Sequence, residues 1–296
     1  MKQIAILGPT ASGKTDLAIE LAHKVNANIL SLDSLSIYKE VDIVSAKPTK
    51  EEQEGIPHFG IDVLQVDEYF SAATFFDVYH EAKKESEKAG KHLIIVGGTS
   101  FYLKAMMEGL SPKPNVMAET KQQITNLLEN LSCAYEKIAS TDPNYANKIK
   151  PTDRYRIEKW YEIYLETGLP ATTYYENEKR APVLEDIALF EIDVPRETLR
   201  ERISHRTQRM IDQGLIDEVF MLEKKYTRKP NPMKAIGIIE TLKYLDGQLS
   251  LADLHKQISV HTAQLAKRQS TFNTSQFPKH PKLLKDDLAK KISNII

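Results

Sequence analysis

Eight residues near the start of the chain, Gly8-Pro9-Thr10-Ala11-Ser12-Gly13-Lys14-Thr15, keep the spacing G-x-x-x-x-G-K-[ST]. A turn of this kind aims successive backbone N–H groups at one anion, and the helix that follows adds the positive end of its dipole. Lys14 supplies a point charge, and the Thr15 hydroxyl is a ligand for Mg2+. The segment lies between an apolar strand and a helix, the context such a loop requires. It reads as the grip on the diphosphate end of a substrate, with backbone N–H groups from Thr10 to Thr15 around the oxygens.

Other side chains could complete a site. Asp33 follows the second apolar run, where an aspartate can hold water around Mg2+, act as general base, or cap the next segment. Thr99 follows Gly97-Gly98; its hydroxyl suits a phosphate or a nucleophile and equally suits a helix cap. Arg202 and Arg206 stand four apart on one helix face and can clamp a diphosphate, or pair with Glu197 and Glu201 on a solvated surface. Lys267-Arg268-Gln269 suits phosphates and a base edge, or is a surface charge run. Arg154, Arg156, Trp160 and Tyr164 suit unpaired RNA bases, and a helical core around Trp160 fits them as well. No metal-ligand spacing, G-x-S-x-G elbow or N-K-x-D base-reading motif is present.

These residues need a scaffold that brings them to one rim. Gln3 to Leu7, Ala27 to Leu32 and His92 to Val96 read as buried strands, alternating with helices Thr15 to Val25, Phe75 to Ala89 (closed by Gly90) and Ser100 to Met107. The pattern is α/β with parallel strands, in which ligands sit beyond the carboxyl ends. Ser111-Pro112-Lys113-Pro114 then breaks the chain. Met117 to Leu131 and Thr152 to Glu166 read as helices joined by the polar stretch Ser140 to Lys150, and the β signal returns at Ile187 to Val194. We expect a P-loop core over 1–112, a helical insertion over 113–182 and the rest of the core over 183–296. The last part reads as helices Arg196 to Gln213, Leu215 to Lys225, Pro232 to Asp246 and Ser250 to Phe272, with a lysine-rich peripheral helix after Pro278.

The whole chain sets bounds. At 296 residues, with 41% hydrophobic and 27% charged residues, it has enough apolar sequence for a sizeable core. A formal net charge of -1 argues against a non-specific polyanion binder but leaves room for a basic patch in the second half. The single cysteine, Cys133, excludes an intrachain disulfide and reads as a half-buried helix residue. The start lacks the pattern of a signal peptide and no apolar run reaches membrane-spanning length, so the expected location is cytoplasmic.

Unaided, the residues describe a P-loop enzyme, most simply a small-molecule kinase. Their order resembles a family more closely. The loop Gly8 to Thr15 is followed by Asp33-Ser34-Leu35-Ser36-Ile37-Tyr38, Asp42-Ile43, Ala46-Lys47-Pro48-Thr49, Tyr69 with Ser71-Ala72-Ala73, and Gly97-Gly98-Thr99 with Tyr102. Then come Asp153-Arg154 with Arg156, Thr167-Gly168, Arg202 with Arg206, Ala235-Ile236-Gly237 and Ala266-Lys267-Arg268-Gln269. This succession resembles the tRNA dimethylallyltransferases over nearly all of the chain.

The resemblance implies that Gly8 to Thr15 and Arg202 hold dimethylallyl diphosphate with Mg2+ on Thr15, and that Asp33, Thr99 and Arg206 are catalytic. The acceptor it implies is N6 of adenosine 37 in a tRNA anticodon stem-loop carrying A36-A37-A38. The implied tRNA contacts are Ser34, Leu35, Ser36, Ile37, Asp153, Arg154, Tyr155, Arg156, Ile157, Lys234, Gly237, Lys267, Arg268 and Gln269, with the helical insertion clamping the stem-loop. A monomer without membrane or obligate protein partner completes the expectation. Ile238, Ile239, Ala263 and Phe272-Asn273-Thr274 depart from the family pattern in a direction that weakens RNA contact. Alternatives are an isopentenyltransferase of free adenine nucleotides, a metabolite kinase, and an RNA-binding protein with a vestigial P-loop.

Overall fold

The computed structural model describes residues 1–111, 114–178 and 181–295. Four apolar runs, each buried almost continuously on both faces, become the interior of one parallel sheet. They are β1 (Gln3–Leu7), β2 (Ala27–Ser31), β4 (His92–Val96) and β5 (Ile187–Ile192); the two-residue strands β3 (His58–Phe59) and β6 (Lys282–Leu283) close its edges in the order β3-β2-β4-β1-β5-β6. The expected fourth strand at Ile187 rejoins the sheet beside β1, with Gln3 opposite Ile187 and Leu7 opposite Glu191. β3 and β6 are too short to carry a periodic signal and exist only by pairing.

One face of the sheet is covered by α1 (Lys14–Val25) and α13 (Lys285–Ser293). Leu17, Ala18 and Leu21 of α1 pack with Ile4, Ile6, Ile29 and Ile94 from the strands. Leu288, Ala289 and Ile292 complete this core, so the lysine-rich tail helix is not peripheral: its lysines face out while an i, i+1, i+4 stripe is buried. Between β3 and β5 in sequence lie α2 (Ala72–Lys88) and α3 (Ser100–Glu108). α2 begins earlier than the periodicity suggests because Ser71 and Thr74 form a reciprocal capping box.

Contacts divide the chain into two units, Met1–Met107 with Leu184–Ile296, and Glu108–Val183. The expected break at Ser111–Pro114 includes Pro112 and Lys113, which lie outside the described residues. Within the second unit, α4 (Ala118–Leu127) and α5 (Leu131–Thr141) replace the single helix expected over Met117 to Leu131. Asn130 separates them, its side chain accepting from Cys133 N at 3.1 Å as the cap of α5. Cys133 itself is exposed rather than half-buried. The polar stretch expected as a connector folds partly into α6 (Pro143–Ala146), and α7 (Arg154–Thr167) and α8 (Ala171–Asn177) follow.

The remaining helices of the first unit are α9 (Arg196–Asp212), α10 (Leu215–Tyr226), α11 (Ile238–Leu245) and α12 (Leu251–Gln276). The helix expected over Pro232 to Asp246 is interrupted. A 3-10 turn at Asn231–Lys234 ends in extended backbone at Ala235, and α11 restarts after Gly237, whose N–H donates to Glu240 Oε2 at 2.6 Å. Among the described residues no helix is long and apolar enough to cross a membrane.

Trp160 settles one alternative. It is 0% exposed and stacks on Tyr164 at 4.6 Å, so the aromatic set on α7 is core. Its Nε1 donates to Asp142 Oδ2 at 3.0 Å, and Thr172 N and Oγ1 and Tyr145 N donate to the same carboxyl. Burial opposes ionisation of Asp142, but bonds from Thr172, Trp160 and Tyr145 outweigh it and hold its pKa below the ordinary value. This stabilisation is present above the ordinary carboxylate range and is lost as pH falls through the depressed value. Asp142→Ala should lower the stability of the helical unit by about 3 kcal/mol, because it strands buried donors. Trp160 is the only tryptophan. Its fluorescence in a urea titration therefore reads this unit directly, and an unchanged midpoint would refute the assignment.

Candidate active site

The site lies at the carboxyl edge of β1, β2 and β4. Gly8 to Thr15 joins β1 to α1, with Ala11 at φ 61° and Gly13 at φ 87°, which turns the backbone around a hollow. Thr10 N donates to the Gln269 side chain at 2.8 Å and Ser12 N to Pro9 O at 3.3 Å. Among the described residues, N–H groups of Ala11, Gly13, Lys14 and Thr15 have no protein partner. Four donors and the N-terminus of α1 are thus left for an anion, narrower than the expected span from Thr10.

Lys14 is 8% exposed and donates to Pro9 O at 2.6 Å. Burial, followed by the nearby Arg206, pushes its pKa down to about 7, against the opposing pull of Asp33 and Glu191. Arg206 donates to Thr10 Oγ1 at 3.3 Å and Ser45 O at 3.4 Å; Arg202 donates to Ser12 O at 3.3 Å. Both arginines of α9 therefore reach the P-loop, Arg206 half-buried and Arg202 exposed. Neither pairs with Glu197 or Glu201 among the described residues.

The acceptor side is built from one close backbone approach. A Cβ on Gly97 would lie 2.1 Å from Leu32 O, so only glycine lets the end of β4 reach the end of β2. Thr99 N then donates to Leu32 O at 3.1 Å, directly before Asp33. Asp33 Oδ1 accepts from Leu35 N at 2.8 Å and Ser36 N at 3.2 Å, so the carboxylate caps the next turn with one oxygen. No hydrogen bond to Oδ2 occurs among the described residues, which leaves that oxygen for a ligand. Two of the readings open for Asp33 are therefore compatible.

A cleft of about 1640 Å³ joins these parts, lined by the P-loop from Thr10 to Thr15, Asp33 to Ser36, Gly97 and Gly98, Arg202 and Arg206. Lys234, Gly237 and Gln269 also line it, and Phe70 and Tyr102 form an aromatic wall with rings 5.3 Å apart. Gly8, Pro9 and Thr99 are not among the residues that line it. Gly237 adopts φ 94°, and a Cβ there would meet Val44 Cγ2 at 2.4 Å.

The structure redistributes the expected RNA contacts. Ile37 and Ile157 are 0% exposed core residues and cannot touch a strand in solvent. Lys234, Lys267 and Arg268 are exposed, as are Arg154, Tyr155 and Arg156 on the helical unit, where Asp153 caps α7 through Arg156 N. Ile238 and Asn273, two departures from the family pattern, are also fully buried, so they alter packing rather than RNA contact.

Sequence reading missed Glu218. Burial raises its pKa, yet its carboxyl accepts from Asp42 N, Ile43 N and Val44 N at 3.0, 2.7 and 3.0 Å. It pins the loop whose Ser45 O receives Arg206. A lone glutamate on α10 carries no local signal for a partner more than 170 residues away.

The family model described as IPP transferase matches residues 36–276. The chain belongs to the IPP transferase family. Its relatives include a tRNA dimethylallyltransferase of Sulfurovum sp. (strain NBC37-1), 53% identical over 94% of this chain and 92% of the relative. Solved relatives include the tRNA delta(2)-isopentenylpyrophosphate transferase of Staphylococcus epidermidis, with TM-score 0.70 and 33% identity over 99% of this chain and 97% of that one. A eukaryotic dimethylallyltransferase acting on tRNA superposes with TM-score 0.80 and 26% identity over 92% of this chain and 70% of that one.

The depressed Lys14 pKa makes anion binding proton-linked. At pH 8 most free protein carries neutral Lys14, and a bound diphosphate restores its charge. Calorimetry at pH 8 in buffers of different ionisation heat should show uptake approaching one proton per diphosphate bound, and Lys14→Met should abolish it. Binding heats independent of the buffer in the unmodified protein would refute the shift. In the unliganded protein the sign is opposite to that of a paired lysine. Neutral Lys14 binds fewer protons than the unfolded chain between about pH 7 and the ordinary lysine value, so its contribution to stability rises with pH there.

Proposed function

We propose that this chain is a tRNA dimethylallyltransferase: it transfers the dimethylallyl group of dimethylallyl diphosphate to N6 of adenosine 37 in the anticodon stem-loop, releasing diphosphate. The observation that carries the reading is the meeting of a cationic phosphate nest and the Asp33 carboxylate in one cleft. A cleft of about 1640 Å³ exceeds the roughly 300–1,000 Å³ typical of small-molecule sites, and so suits a prenyl diphosphate together with a flipped nucleotide. The names of the relatives support the same reaction.

In this mechanism the diphosphate sits against the free N–H groups of Ala11, Gly13, Lys14 and Thr15. The allylic C–O bond breaks as N6 forms its new bond to that carbon. Negative charge growing on the departing oxygen is met by Lys14, Arg206 and Arg202. Asp33 Oδ2 accepts the proton that N6 loses, which helps a weakly nucleophilic aromatic amine attack. The Thr99 hydroxyl supports that amine. Phe70 and Tyr102 keep water from the allylic carbon, so that transfer competes with hydrolysis.

Mg2+ fits this donor set. Among the described residues no three His, Cys, Asp or Glu side chains gather into a metal-binding group, so the cation would rely on Thr15 Oγ1, diphosphate oxygens and water. When bound, it supplies further neutralisation of the leaving group. Exposed Lys234, Lys267 and Arg268 suit the RNA backbone, and Arg154, Tyr155 and Arg156 suit phosphates and unpaired bases. The reaction would take place in the cytoplasm.

Transfer from dimethylallyl diphosphate with Mg2+ to a stem-loop carrying A36-A37-A38 tests the reading, with A37 changed to G as control and AMP and ATP as competing acceptors. Product should form only at A37; transfer to free nucleotide, or phosphorylation of a metabolite by ATP instead, would overturn it. Asp33→Asn keeps the Oδ1 acceptor for Leu35 N and Ser36 N while removing the base. It should reduce kcat by about 100- to 10,000-fold, with little change in diphosphate affinity measured by calorimetry.

A further inference from the structure

Gln269 lies on α12 between residues with a different task. Lys267 and Arg268 are exposed, and with Thr271, Phe272 and Ser275 they line a shallow outer groove. The Gln269 amide turns the other way. Its Oε1 accepts from Thr10 N at 2.8 Å, and its Nε2 donates to Gly98 O at 2.9 Å. The fit leaves no slack: a Cβ on Gly98 would stand 2.6 Å from Gln269 Nε2.

Each anchor leads into a different half of the site. Thr10 belongs to the diphosphate half, where its Oγ1 also accepts from Arg206 Nη1. Gly98 belongs to the acceptor half, between Gly97, which is pressed onto Leu32 O, and Thr99, whose N–H donates to Leu32 O next to Asp33. One side chain is thus shared by the loop that would hold the leaving group and the corner that would hold the nucleophile. A primary amide is suited to this, because it presents an acceptor and a donor on one rigid, uncharged plane.

We propose that Gln269 is a positioning residue, whose amide clips the P-loop to the turn after β4 and so sets the distance between the diphosphate and the Asp33 carboxylate. The proposal rests on the transferase reading for its kinetic consequences and on the two hydrogen bonds for its structural ones. It assigns Gln269 a task other than RNA contact, the role that the family resemblance implies. The clip acts on the alignment of reacting atoms, so its loss reduces kcat more than it weakens either substrate. An error of about 1 Å at the reacting atoms costs on the order of 100-fold in rate.

Two substitutions in the full-length protein separate the roles. Gln269→Leu keeps bulk and removes both bonds. Gln269→Glu keeps the acceptor for Thr10 N but sets a carboxylate against Gly98 O, and only the protonated acid restores the second bond. We expect both variants to lose roughly 10- to 100-fold in kcat, with much smaller changes in KM for the stem-loop and in the Kd of dimethylallyl diphosphate. Relative to the unmodified enzyme, Gln269→Glu should recover as pH falls from 8 to 6, because burial beside a carbonyl raises a carboxyl pKa. A role in packing alone would not produce that recovery.

Amide hydrogen exchange supplies a readout that needs no turnover: Thr10 N–H should lose protection in Gln269→Leu. Unchanged protection at Thr10 overturns the clip whatever the activity. Normal kcat with a raised KM for the stem-loop also overturns it and makes Gln269 an RNA contact. An unmodified protein that transfers nothing to the stem-loop defeats the transferase reading, while the exchange experiment still decides the clip.

Discussion

Two cations are confined to one buried corner, and most of the local architecture follows from keeping them there. Burial opposes charge on both Lys14 and Arg206; Arg206 lowers the Lys14 pKa further, as Arg209 does that of Arg206. Asp33 acts on both in the opposite sense, and Glu191 does so on Lys14. The corner is therefore poised for an anion that it does not contain within itself. A bound diphosphate removes the repulsion, and a leaving group that gains charge during reaction is favoured further.

Holding that corner open requires supports from distant parts of the chain. Glu218 on α10 fixes the loop at Asp42 to Val44, which presents Ser45 O to Arg206. Glu191, on β5 opposite Leu7, is itself buried, with His280 Nε2 at 3.1 Å and Lys282 Nζ at 3.3 Å from its carboxyl oxygens. The tail beyond α12 thereby contributes to the electrostatics beneath the P-loop, in addition to filling the core with α13. Gln269 adds an uncharged link on the side facing the cleft. Each support is polar and directional, which allows the site to hold a fixed shape before ligands arrive.

The same sheet geometry explains why a carboxylate and a phosphate nest meet at all. β1, β2 and β4 run parallel in adjacent positions, so the turns that follow them emerge on one edge. The Gly97 contact with Leu32 brings two of those turns to backbone distance. The Asp33 corner and the P-loop are thus brought together by strand order, and α9 needs only to lay Arg202 and Arg206 against the loop. The departures at Ile238 and Asn273 sit in the packing behind this arrangement and leave its charged residues intact.

Local pattern along the chain was enough for the four interior strands, legible as continuous apolar runs, for the loop Gly8 to Thr15 in its strand-to-helix setting, and for Arg202 with Arg206 on one helix face. It did not determine elements that exist through pairing, such as β3 and β6, or helix breaks set by a single cap, such as Asn130 and Gly237. Nor did it tell which of several plausible residues face solvent. Ile37, Ile157 and Trp160 went to cores, and the amide of Gln269 turned to the P-loop while its neighbours faced outward. Those outcomes belong to tertiary structure. Periodicity constrains a residue only against its neighbours in the chain, whereas burial, and the partner that satisfies a buried polar group, are fixed by elements from other parts of the chain.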